Sequence, residues 1–136
     1  MVDAVQYATL RAVVDRMIPR DDVPGGLDAG VDRYLIHFLQ HDGCGYAPAY
    51  IAFLDAINHH AQQQHQCTFD GLSAAAADGL LQYMTDEPSI VIASLRGAQI
   101  IALIAEHCAE GFYADPRQGG NIDMVSWRMI GFEERR

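Results

Sequence analysis

The chain has 136 residues, half of them hydrophobic, and a formal net charge of -9; that is enough for one folded domain with its own core, and too apolar for disorder. All nine basic residues are arginines. That balance argues against a face able to neutralise a run of phosphates, so nucleic acid is not an expected partner, whereas solubility or a basic protein partner suits it.

From the N-terminus, Leu10, Val13, Val14, Met17 and Ile18 recur at three- and four-residue spacing and predict a first helix. Residues from Pro19 to Gly26 break it, with Asp21 and Asp22 beside Pro24-Gly25-Gly26. Asp28 is the expected cap of a second helix, carried by Val31, Tyr34, Leu35, Phe38 and Leu39. After Asp42-Gly43-Cys44-Gly45, a third helix follows Tyr50, Leu54, Ile57 and Ala61. Ser73 caps a fourth, through Ala77, Leu80, Leu81 and Met84, with Leu72 placed as a hydrophobic staple on Ala77.

Glu87-Pro88-Ser89 opens the expected fifth helix, within the most apolar run of the chain, Ser89 to Cys108. Arg96, Gln99, Glu106 and His107 interrupt that run and are too costly in hydrocarbon for a membrane span. Its apolar residues fall on nearly every face, which predicts a central helix or one covered by another subunit. No stretch alternates with period two over a strand's length, so a sheet is not expected. The expected fold is all-α: one compact domain over residues 1–136, a bundle of about five helices closed by a shaped C-terminal segment.

Few residues suggest chemistry. Cys44, Cys67 and Cys108 are odd in number and contain no Cys-x-x-Cys pair, so free, mostly buried thiols are expected. His59, His60, His65 and Cys67 lie close in sequence, but His59 and His60 point about 100° apart on a helix and the segment is glutamine-rich, which favours a solvated helix end over a metal site. Glu106, His107 and Asp115 have no nucleophile elbow or phosphate-cradling loop beside them, and Gly119-Gly120-Asn121 is no dinucleotide fingerprint. His107 and Cys108 read as packing and helix-end residues. No catalytic, cofactor-binding or metal-ligating residue is expected in this chain.

The most specific segment is the last. Glu110-Gly111-Phe112-Tyr113-Ala114-Asp115-Pro116-Arg117-Gln118-Gly119-Gly120-Asn121, then Ser126-Trp127-Arg128-Met129-Ile130-Gly131-Phe132, sets glycines, a proline and aromatics at no simple period, as a shaped path would. Gly111 reads as a residue just beyond a helix end, Asp115-Pro116 and Gly119-Gly120 as turns, and Asn121 as the cap of a short last helix. Phe112 and Trp127 are equally suited to core or contact. Tyr113, Arg117, Arg128 and Phe132 suit contact, with Asp115 counted among the partner-binding candidates; Arg128 offers a two-point fork to a carboxylate.

This segment, with Thr9-Leu10-Arg11-Ala12-Val13-Val14-Asp15-Arg16-Met17-Ile18-Pro19, Pro24-Gly25 and Ala29-Gly30-Val31-Asp32-Arg33-Tyr34 near the start, resembles the gluconate 2-dehydrogenase subunit 3 family. The resemblance implies a non-catalytic small subunit bound to a large flavin-dependent oxidoreductase of the glucose-methanol-choline type, as a heterodimer. It further implies FAD in that partner, sugars, polyols or sugar acids as substrates, and a cytochrome or another acceptor for the electrons. The resemblance also implies that many relatives reach the periplasm on a twin-arginine signal of this subunit. Met1-Val2-Asp3-Ala4-Val5-Gln6-Tyr7 has no such signal, so a cytoplasmic location is expected, or a periplasmic one for a mature or trimmed form. Two other readings compete: a stand-alone helical binding module or homo-oligomer, and, less favoured, a small metal-binding enzyme.

Overall fold

The structure is a computed structural model and describes residues 2–114 and Gly120. Five helices, α1 (Ala4–Met17), α2 (Val31–Gln40), α3 (Ala47–His65), α4 (Ala74–Asp86) and α5 (Gly97–Phe112), pack around one core, as the periodicity predicts. Single 3-10 turns at Cys44–Tyr46 and Phe69–Gly71 lie before and after α3.

α1 starts on a reciprocal cap. The Gln6 amide N–H donates to Asp3 Oδ1 at 2.7 Å and the Asp3 N–H donates to Gln6 Oε1 at 2.9 Å, satisfying two N–H groups that a helix start otherwise leaves open. It ends where the Pro24-Gly25-Gly26 segment folds back: the Gly26 N–H donates to the Ile18 carbonyl at 2.8 Å, and a Cβ on Gly25 would stand 2.7 Å from that same oxygen. Only glycine allows the two backbones so close.

Asp28 does not cap α2. Its Oδ2 accepts from the Gly25 N–H at 2.8 Å, inside the preceding turn, and its Oδ1 lies 3.5 Å from Arg20 Nη1. The residue before α2 is Gly30, in the left-handed region at φ 75°. Ser73 does cap α4, accepting from the Ala76 N–H at 3.2 Å.

The largest departure from expectation is at the start of α5. Residues Ser89 to Arg96 are not helical; β1 (Val91–Ile92) and β2 (Leu95–Arg96) form a two-stranded antiparallel hairpin with Val91 opposite Arg96 and Ile92 opposite Leu95. Ala93 and Ser94 make its two-residue turn at φ 50° and 69°, the geometry whose twist matches a hairpin. The apolar run concealed this because Ile90, Val91 and Ile92 fit a helix face and a strand equally. α5 begins at Gly97, where a Cβ would collide with the Met84 carbonyl oxygen.

Leu10, Val13 and Val14 of α1, Leu35 and Leu39 of α2, Tyr50, Phe53, Leu54 and Ile57 of α3, Leu80 and Met84 of α4, and Ile100, Ile104 and Cys108 of α5 meet in one buried cluster. α5 is not apolar-buried all round, as its composition suggested. Gly97, Ile100, Ile104, His107, Cys108, Gly111 and Phe112 are its buried stripe, Ile101 and Leu103 are half-buried, and Ala98, Ala102 and Ala109 are exposed. Among the described residues no helix is long and apolar enough to cross a membrane.

Candidate interaction surface at the end of the bundle

α5 carries the start of the glycine-and-aromatic segment to the end of the bundle, beside α2. Gly111 lies inside the last turn of α5 rather than beyond it, contrary to its reading as a post-helical residue. What requires glycine there is steric: a Cβ would stand 2.5 Å from Cδ1 of Tyr34. Gly120 joins the contact, since a Cβ on it would collide with the Gly111 carbonyl oxygen and reach Tyr34 Cβ at 3.1 Å. Two glycines of the segment thus meet at one aromatic residue of α2, and side-chain-free backbone is what permits it.

Phe112 is packed into the core at 5% exposure, and Tyr113, the next residue, is 53% exposed. Their rings stand edge to face, 5.1 Å apart at 89°. The helix closes with the Tyr113 N–H donating to the Ala109 carbonyl at 3.2 Å. Of the remaining partner-binding candidates, Asp115, Arg117, Trp127, Arg128 and Phe132 lie outside the described residues, as do Asn121 and the short helix expected after it.

One turn back, His107 is boxed by aromatics from three other elements. Its Nδ1 shares a 2.8 Å hydrogen bond with the Tyr50 hydroxyl. The rings of Phe38 and Tyr46 stand edge-on to it at 4.8 and 4.9 Å, and Tyr50 is parallel. Burial lowers the imidazole pKa from its ordinary value, against a smaller upward pull from Glu110 and Glu106. Burial also raises the Tyr50 hydroxyl and pushes the Cys108 thiol up to about 12. These are neutral packing groups, so the expectation that His107 and Cys108 serve packing fits their surroundings. Glu106 is exposed while His107 is buried, so the two turn away from each other.

Beside the box lies a hollow of about 310 Å³ lined by Tyr34, His37, Phe38, His41, Asp42 and Glu110. His37 and His41 stack at 4.1 Å, and His41 Nδ1 meets the His37 carbonyl at 2.8 Å. On α3, His59 is exposed and His60 half-buried, the latter edge-on to Tyr83. Among the described residues no three His, Cys, Asp or Glu side chains are placed to hold a metal ion. Cys44 is exposed, unlike the mostly buried thiols expected; Cys67 is half-buried and Cys108 buried. The sequence signal for Tyr34 was only its place on a helical stripe, which does not distinguish a core residue from the pivot of a glycine contact.

A family model described as gluconate 2-dehydrogenase subunit 3 matches residues 4–133, nearly the whole chain. The chain belongs to the gluconate 2-dehydrogenase subunit 3 family. The match runs through all five helices and on through the C-terminal segment, so Gly111, Gly120 and Tyr34 all lie within the family region. Comparison with curated proteins and with solved structures gave no match. The family's description is that of one subunit of a dehydrogenase, consistent with an accessory subunit of a multi-subunit enzyme.

Proposed function

We propose that the chain is a non-catalytic accessory subunit that binds and stabilises a large FAD-dependent dehydrogenase of the glucose-methanol-choline type, acting on a sugar, polyol or sugar acid. The family match over residues 4–133 carries this reading. FAD belongs to the partner, and a cytochrome or similar acceptor takes its electrons. The end of the bundle supports the reading: Gly111 and Gly120 make close backbone contacts at Tyr34, and Tyr113 offers an exposed ring at the end of α5. A side chain held on a rigid base loses little freedom on binding, which favours it as an anchor.

Co-expression with a flavin-dependent oxidoreductase encoded beside this chain should give a complex that co-purifies with flavin absorbance. Tyr113→Ala, Trp127→Ala and Arg128→Ala should each weaken it by about 1–3 kcal/mol, the range of interface anchors. Deleting residues 121–136 should weaken it further while the purified bundle keeps its helical circular dichroism. Recovery of no flavoprotein, or a complex indifferent to all four changes, would reject this surface.

A further inference from the structure

Along α1, Ala4, Ala8 and Ala12 follow at four-residue spacing beside the buried stripe of Leu10, Val13 and Val14: Ala4 is exposed, Ala8 is half-buried, and Ala12 is half-buried and packed against the core. Three hollows of about 260, 320 and 120 Å³ lie along it. Ala8 is common to the first two, Ala12 and Asp15 to the last two, and Asp70 to all three, so they run together as one groove. From Ala4 to Asp15 it extends about 16 Å, three helical turns.

The groove is built rather than incidental. Its far wall is the Phe69–Gly71 turn, and Asn58 of α3 clamps that turn to α1: its Nδ2 donates to Thr9 Oγ1 at 2.8 Å, and its Oδ1 accepts from the Phe69 N–H at 2.9 Å. The rim holds two arginines, Arg11 and Arg16, and two aspartates, Asp15 and Asp70, and among the described residues only the arginines have ion-pair partners. Arg16 is engaged at two points by Asp78, at 2.8 and 3.0 Å, and Arg11 lies 3.6 Å from Asp32. Asp15 and Asp70 have no ion-pair partner among the described residues; Asp70 accepts the Thr68 hydroxyl at 2.6 Å. An alanine floor lets a second helix approach to about 8 Å between axes. Two uncompensated carboxylates on a chain of net charge -9 favour a basic occupant.

We propose that this groove receives a helix of the flavoprotein partner, with small or apolar side chains against Ala4, Ala8 and Ala12 and a Lys or Arg between Asp15 and Asp70. The proposal rests on the accessory-subunit reading and adds a second contact, apart from the Tyr113 end. Its test is calorimetry on the purified chain and purified flavoprotein, with the thermal midpoint of each variant alone as the check on folding. Ala8→Trp, which fills the floor, should weaken binding at least about tenfold, and Ala8→Ser should retain it. Asp15→Arg together with Asp70→Arg, the first half-buried and the second exposed, should weaken it about tenfold and flatten its salt dependence.

If the wild-type complex forms and both the Ala8→Trp and the charge-reversed chains bind within about twofold of it, the groove assignment falls and the accessory reading stands. If no complex forms with the wild-type chain, both fall. If light scattering finds the isolated chain dimeric and Ala8→Trp separates it, the occupant is a second copy and the flavoprotein assignment is overturned.

Discussion

At the scale of single residues, glycine separates into positions where backbone contact demands it and positions where nothing does. Gly111 has the Tyr34 ring 2.5 Å from any added Cβ, whereas Gly79, within α4, has nothing within 4 Å. Gly111→Ala must push the ring or the helix aside and should destabilise the chain by about 1–3 kcal/mol, the usual cost of overpacking. Gly79→Ala removes backbone freedom from the unfolded chain and should stabilise by about 0.5–1 kcal/mol. Chemical denaturation of the two variants checks both signs. A Gly111→Ala chain as stable as wild type would mean that Tyr34 does not hold α5 as described. The sequence marks Gly111 as part of the C-terminal segment, but only the neighbour across space shows that it cannot take a side chain.

At the scale of elements, local signals were sufficient wherever the cap and the period agreed. Ser73 capped α4 as expected, and the stripe of Leu10, Val13 and Val14 became the buried face of α1. They misled at Asp28, whose carboxylate is taken by the nearer Gly25 N–H, and at Ser89 to Arg96, where β-branched residues served a hairpin instead of a helix. That hairpin holds Ala93 and Ser94 in a left-handed conformation that costs a non-glycine residue about 1 kcal/mol. Replacing them together, Ala93→Asn with Ser94→Gly, should therefore raise stability by about 0.5–1 kcal/mol, read as a higher thermal midpoint. A lower midpoint would argue that the turn is held in some other geometry.

At the scale of the whole molecule, the box around His107 exists only because α2, the Cys44–Tyr46 turn, α3 and α5 converge, supplying Phe38, Tyr46, Tyr50 and the histidine itself. The charged and titratable groups acting on His107 are Glu106 and Glu110 on its own helix, with the Tyr46 and Tyr50 hydroxyls and the buried Cys108 thiol around it. Burial outweighs the glutamates and depresses the folded pKa below the unfolded value of 6.5. The neutral imidazole therefore contributes stability in full above about pH 6.5, and that stability is lost as pH falls through the folded pKa, because the unfolded histidine takes up a proton that the folded one resists. Urea midpoints at about pH 7.5 and about pH 5.5 should fall more steeply for the wild type than for His107→Phe. Parallel falls in the two proteins would exclude His107 as a source of acid sensitivity.

The fold class, the helix count and the family were legible in the sequence because they depend on period, capping and motif, which are properties of neighbouring residues. The sequence also marked Phe112 and Tyr113 together, yet left open which faces inward; the end of α5 buries Phe112 and exposes Tyr113, since adjacent helical residues point about 100° apart. Tertiary structure alone decided the rest. It seated Gly111 and Gly120 on Tyr34, closed aromatics over His107, and set the Asn58-clamped turn beside the alanines of α1, all contacts between residues far apart in the chain. Such pairings follow from how helices pack, and no period along the chain encodes them.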